Sequence, residues 1–132
     1  MVPETLTLLV GLITLMFILS GFSKLSNIIG MATGLANKLP SLVSLGIPSE
    51  IFQLAILVAA LLQVVGPGIM LYEAQYKQTG QRSYSKYAAL ALAGFSVLAT
   101  LVYHFPPVGS TYYPFISNVT TVGGLLLTAY IM

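Results

Sequence analysis

The sequence predicts an all-α integral membrane fold, an antiparallel four-helix bundle with one short interfacial amphipathic helix. Three observations carry that expectation. Of 132 residues, 57% are hydrophobic and only 6% charged, with a mean hydropathy of +0.93, whereas a soluble domain carries about 25% charged residues. Four runs lack any Asp, Glu, Lys or Arg: 5–23, 51–72, 87–105 and 115–132. At about 1.5 Å per helical residue, each comes close to the roughly 30 Å of a bilayer's hydrocarbon core. Between the first two lies 25–39, too short and too polar to span, with Leu25, Ile28, Ile29, Ala32, Leu35, Ala36 and Leu39 recurring at helical spacing.

Composition also excludes. A net charge of +2 is too small and scattered for a nucleic-acid footprint. Without cysteine there is no disulfide, thiolate metal site or cysteine nucleophile. One His and three acids make no dedicated transition-metal site and no axial pair for haem. No nucleophile-elbow or phosphate-cradling glycine motif is present. The length allows one domain, 1–132. The opening Met1-Val2-Pro3-Glu4 lacks a basic n-region, so the first run reads as a retained span and not as a signal peptide.

Taken in order, the first run ends on Ser20-Gly21-Phe22-Ser23-Lys24, with Ser20 and Lys24 sharing a helix face. Lys24 either snorkels to the interface or turns inward toward partners on other helices. Pro40 ends the amphipathic segment, and Gly46 and Pro48 mark a turn. Ser49 and Glu50 open the second span as a capping hydroxyl and a first-turn acid. Inside that span Pro67 denies the Gln63 carbonyl its helical donor. Gln63 therefore faces a neighbouring helix, water or a ligand. From Glu73 to Lys86 the chain reads as a solvated loop around Gly80, and Ser83 or Ser85 is placed to cap the third span. Ala89, Ala93, Gly94, Ser96 and Thr100 form a small-residue surface for close helix approach. The third span ends at Tyr103-His104-Phe105, stopped by Pro106-Pro107.

Four spans place both termini on one side, together with Lys77, Arg82 and Lys86, against Lys24 and Lys38 on the other. That bias puts the termini on the cytoplasmic or matrix side of a cell membrane or mitochondrial inner membrane. The helix directions gather Ser20, Lys24, Glu50, Gln53, Tyr103, His104 and Asn118 at the opposite mouth, with Gln63 deeper. His104 serves either as an interfacial residue satisfied by the helix dipole or as part of a polar, ligand-binding pocket. Glu50 is the acid placed to pair with an inward Lys24. Asn118-Val119-Thr120 matches the glycosylation pattern, but at a membrane boundary it reads as chance.

Phe17-Ile18-Leu19-Ser20-Gly21-Phe22-Ser23-Lys24-Leu25, then Leu45-Gly46-Ile47-Pro48, resemble the opening of the DoxX-like membrane proteins. Leu62-Gln63-Val64-Val65-Gly66, His104 and the 118–127 segment, with Asn118 and Gly124, resemble later landmarks in the same order. The resemblance covers nearly the whole chain and implies an antiparallel four-helix bundle. It also implies kinship with the small membrane subunit linked to thiosulfate:quinone oxidoreduction and with eukaryotic relatives in receptor assembly or cargo handling. Where many members carry a membrane-embedded Glu before the second helix's glycine, this chain has Gln63, which cannot ionise.

Two functions follow as expectations. One is a non-catalytic accessory or assembly subunit of a larger membrane complex, respiratory or redox in setting, with membrane lipid and other subunits as partners. It has no catalytic centre and no intrinsic cofactor beyond a quinone or bound lipid. The other is a quinone-binding subunit of a thiosulfate:quinone oxidoreductase-type enzyme, with Lys24, Gln63 and His104 on quinone oxygens. Small-residue stripes at Thr7, Gly11 and Thr14, and at Thr120, Gly124 and Thr128, exceed what four helices need and point to subunit partners.

Overall fold

The structure, a computed structural model, describes residues 2–104 and 107–132, the Thr79 side chain excepted. Six α-helices make up nearly all of it: α1 (Pro3–Ser26), α2 (Ile28–Lys38), α3 (Pro40–Ser44), α4 (Ser49–Tyr76), α5 (Ser83–Tyr103) and α6 (Tyr112–Ile131). Short 3₁₀ turns at Thr79–Gln81 and Gly109–Thr111 precede α5 and α6, and no strand occurs among the described residues. The helices α1, α4, α5 and α6, the last counted from Gly109, are long and apolar enough to cross a membrane. The expected end of the third span at Phe105 and its stop at Pro106 lie outside the described residues.

Local chemistry explains most of the boundaries. Pro3 occupies the first turn of α1, where its missing N–H costs nothing, and Glu4 beside it suits the positive end of the helix dipole. Asn27 leaves helical space at φ −150° and ends α1, while its side chain accepts the Gly30 N–H at 3.1 Å and so caps α2. Pro40 does not simply stop α2: it opens the five-residue α3 as that helix's first residue. Gly46 then turns the chain at φ +85°, a conformation that side chains disfavour. The cap expected of Ser49 is absent, because Ser49 is already helical behind an extended Pro48.

The charged connector differs most from expectation. Residues 73–86 are not a solvated loop. The α4 helix runs one turn further, to Tyr76, so Glu73 is 2% exposed and Arg82 6%. Arg82 Nε donates to the carbonyls of Glu73 at 3.1 Å and Lys77 at 2.8 Å, and its terminal nitrogen donates to Ala74 at 3.4 Å. These carbonyls lie in and just past the last turn of α4, where a helix runs short of backbone donors; that of Glu73 also receives the Lys77 N–H at 3.1 Å. Glu73 in turn accepts the Ser85 N–H at 2.7 Å and pairs with Lys77 at 3.2 Å. A carboxylate at the end of α4 thus caps the start of α5, taking over the role expected of Ser83 or Ser85.

Helix register follows from named contacts. Thr7 donates to Gln75 at 2.9 Å, Gly11 faces Leu71, and Gly21 faces Ala60, Gln63 and Val64. Residue numbers therefore fall along α4 as they rise along α1. At Gly21 a Cβ would sit 2.7 Å from a Val64 methyl and 3.1 Å from the Ala60 carbonyl oxygen, so glycine permits this approach. The Thr7, Gly11 and Thr14 stripe is consumed by the α1–α4 seam, with Thr14 fully buried. On α6, Gly124 closes against Ile13.

Two hydrophobic clusters result. Leu6, Val10 and Phe17 of α1 join Met70 and Ala74 of α4, Ala88, Ala89, Leu92 and Ala93 of α5, and Leu125, Ala129 and Met132 from the end of the chain. At the other end α2 lays Ala32, with Ile28, Met31 and Leu35 beside it, on Phe52 and Ile56 of α4. All four long helices meet in the first cluster, whereas the second involves only α4 among them. The space between the clusters is left unfilled.

Candidate ligand cavity

That space is a half-open cavity of about 440 Å³, within the range of small-molecule sites. Every long helix contributes to its wall: Phe17, Ser20 and Lys24 from α1, Ile56 and Gln63 from α4, Phe95, Ser96, Ala99 and Tyr103 from α5, and Asn118 from α6, with His104 just past α5. Gly30, Met31 and Gly34 of α2 close one side. The cavity brings together six of the eight polar residues expected from the sequence: Ser20, Lys24, Gln63, Tyr103, His104 and Asn118.

Gln53 lies outside it beside residues 25–29, and Glu50 is the other exception. It is exposed in the first turn of α4 and lies outside the cavity. The register explains why: with Thr7 opposite Gln75 and Gly11 opposite Leu71, Lys24 comes level with Val58. Glu50 lies two turns further, about 12 Å along the axis, and Ala32 of α2 packs on the intervening Phe52 and Ile56. The expected Lys24–Glu50 pair is therefore not formed.

Lys24 does turn inward. Its ammonium donates to Ser20 Oγ at 2.7 Å and stands 6.0 Å from the centroid of the Phe95 ring, at the edge of cation–π range. No carboxylate lines the cavity, so its one cation stays unneutralised by the wall. Deeper, Gln63 is 4% exposed and its Oε1 is buried without a hydrogen-bond partner among the described residues. An unpaired buried acceptor costs about 1–3 kcal/mol. Gln63 comes level with Leu19 by the same register, about 7.5 Å along the helix axes from the Lys24 backbone, while the Lys24 ammonium reaches back toward that level at Ser20.

His104 ends α5, its N–H bonded to the Thr100 carbonyl at 2.9 Å, and it is half-buried. Asn118 is likewise half-buried on the cavity wall inside α6. Sequence reasoning missed Phe95, Ser96, Gly30 and Gly34. Ser96 was expected to serve helix packing, and α2 was expected to lie apart at an interface. The i, i+4 spacing of Gly30 and Gly34 was the available sign that one face of α2 leaves room for something else.

A second, apolar groove of about 500 Å³ continues outward between α4 and α5. Lys24, Ile56, Phe95, Ala99 and Tyr103 belong to both walls, and beyond them the groove runs over Ala55, Val58, Ala59, Leu62, Leu98 and Val102. Among the described residues no group of three or more His, Cys, Asp or Glu side chains could hold a metal ion. In comparisons with family models, curated proteins and solved structures, nothing matches the chain.

Proposed function

We propose that this chain is a DoxX-like, antiparallel four-span membrane subunit that binds a quinone in the cavity between its helices and has no catalytic centre of its own. The observation that carries the reading is Gln63: a buried side-chain acceptor without a partner, in the wall of a cavity that also holds an unneutralised ammonium. Among apolar-bodied ligands, a ring with an oxygen at each end suits that arrangement. Lys24 donates to a quinone carbonyl or a developing negative charge at the mouth. Gln63 accepts from the hydroxyl of the reduced form deeper in. Tyr103 and His104 stand beside the outer oxygen, and Phe17, Ile56 and Phe95 give the ring apolar walls.

In this reading the bilayer covers the exposed apolar side chains of the four long helices. Both termini share the cytoplasmic or matrix side with Lys77, Arg82 and Lys86, and electrons reach the quinone from a partner subunit. The substrate of that partner, thiosulfate in the resemblance drawn from sequence, belongs to the same proposal. Gln63 in place of a carboxylic acid means that this position accepts a hydrogen bond without supplying or taking up a proton; Tyr103, His104 or water serves the outer oxygen, and the proton of the inner hydroxyl comes from water entering the half-open cavity.

Purification from native membranes in mild detergent tests the proposal. Solvent extraction should release a compound whose ultraviolet spectrum changes on borohydride reduction, in stoichiometric amount, and other membrane subunits should copurify. The Gln63→Leu variant should retain the subunits and lose the quinone. Recovery of phospholipid alone, in native protein and variant alike, would contradict it.

A further inference from the structure

We propose that the bound ligand carries a long apolar tail, of the polyprenyl or alkyl class, which leaves the cavity sideways through the groove between α4 and α5. The ligand then enters from the bilayer and not from water. This rests on the quinone reading of the cavity and names the route and the kind of molecule that reading requires.

The argument is one of continuity and chemistry. The cavity and the groove are joined through Lys24, Ile56, Phe95, Ala99 and Tyr103, which wall both. The polar groups are concentrated at the join and in the cavity, while the outer groove is lined by hydrocarbon alone: Ala55, Val58, Ala59, Leu62, Leu98 and Val102. A headgroup held by the polar residues thus has an apolar exit through this groove. Small residues make that exit, since Ala55 and Ala59 stand one turn apart on α4 and Ala99 faces them from α5. A larger residue at any of the three would close the seam by ridge-into-groove packing. Val58 is 58% exposed and Leu98 63%, so the groove is open along its outer side to whatever surrounds the helices. In a bilayer an acyl or prenyl tail gains little by exchanging lipid for such a groove. The groove therefore supplies a path, and the headgroup contacts supply the affinity.

The test uses the whole chain in lipid nanodiscs and two ligands: tetramethyl-p-benzoquinone, which has no tail, and a quinone whose decyl tail ends in a photoreactive diazirine. Irradiation should label Ala55, Val58, Ala59, Leu98 or Val102, and excess tetramethylbenzoquinone should abolish that labelling. Ala59→Phe, which fills the groove and leaves the cavity wall unchanged, should cut labelling by the tailed quinone at least tenfold while tail-less binding stays within about twofold. Ala55→Phe, at an exposed position, is the second variant should Ala59→Phe fail to fold. Labelling that tail-less quinone does not compete, labelling confined to the α1 or α6 side of the cavity, or full labelling in both filled variants would overturn the tail route while leaving the headgroup site intact. Absence of tail-less binding to the native chain would overturn the quinone reading, and this inference with it.

Discussion

Gln63 is held in place by the approach of α1. Gly21 lies against Ala60, Gln63 and Val64, so the base of the Gln63 side chain is seated against the α1 backbone. If its unpaired oxygen is kept for a ligand and not for stability, Gln63→Leu should leave the unliganded protein as stable as before or more so, by about 1–3 kcal/mol. Quinone affinity should fall at the same time, and thermal unfolding with and without quinone separates the two effects. A Cβ at Gly21 acts in the opposite way. Gly21→Ala should destabilise by about 1–3 kcal/mol through overpacking and should also weaken binding, since the atoms it displaces include the Gln63 Cβ. Unchanged melting in detergent would argue that α1 and α4 are not so closely seated.

The same residues show what sequence alone could tell. Gln63 was legible because an amide four residues before a proline in an apolar run has few ways to be satisfied. Lys24 facing inward was legible as an alternative, since Ser20 sits one turn before it. Glu50 was misread because its position depends on the helix register. That register is set by Thr7 on Gln75, Gly11 on Leu71 and the insertion of Ala32 against Phe52, contacts that no local pattern encodes.

Among the helices, the α4–α5 corner is where local reading failed, for a physical reason. Charges around Gly80 look like a loop, but one additional turn of α4 draws Glu73 under α5 and lets Arg82 reach back to three carbonyls. This corner replaces a hairpin of caps with one acid and one base. Arg82→Met should therefore cost about 3 kcal/mol, because a buried charged donor is lost and the carbonyls of Ala74 and Lys77 lose the guanidinium that meets them. Glu73→Gln keeps an oxygen for the Ser85 N–H and loses only the pairing with a part-exposed Lys77, a cost of about 0–1 kcal/mol. Glu73→Ala removes the cap itself and should cost about 1–2 kcal/mol. Thermal unfolding that ranks these three in another order would show that the corner is held some other way.

The four apolar helices were read from sequence within a few residues, since an uncharged run of spanning length is the strongest signal such a chain gives. The cavity was only partly legible. Its polar members could be gathered by following helix directions, whereas its volume arises because the long helices close on one another at the end bearing Leu6, Met70, Leu92 and Leu125 and leave the other end to α2. The proposed topology makes a plain prediction. The chain has no cysteine, so single cysteines at Gln78 and Ser110 should react with a membrane-impermeant maleimide from opposite faces of a sealed vesicle. Reaction of both from one face would show that α5 does not cross the bilayer and would place the termini on opposite sides.

The most direct test of the quinone site is calorimetric titration of tetramethyl-p-benzoquinone, oxidised and reduced, into the chain in nanodiscs. One molecule per chain should bind. Lys24→Met should weaken binding of both forms at least tenfold, about 1.4 kcal/mol, and Gln63→Leu should weaken the reduced form, whose hydroxyl it no longer receives, by at least as much. Glu50→Gln, outside the cavity, should change nothing. No saturable heat, or affinities indifferent to Gln63 and Lys24, would contradict the assignment.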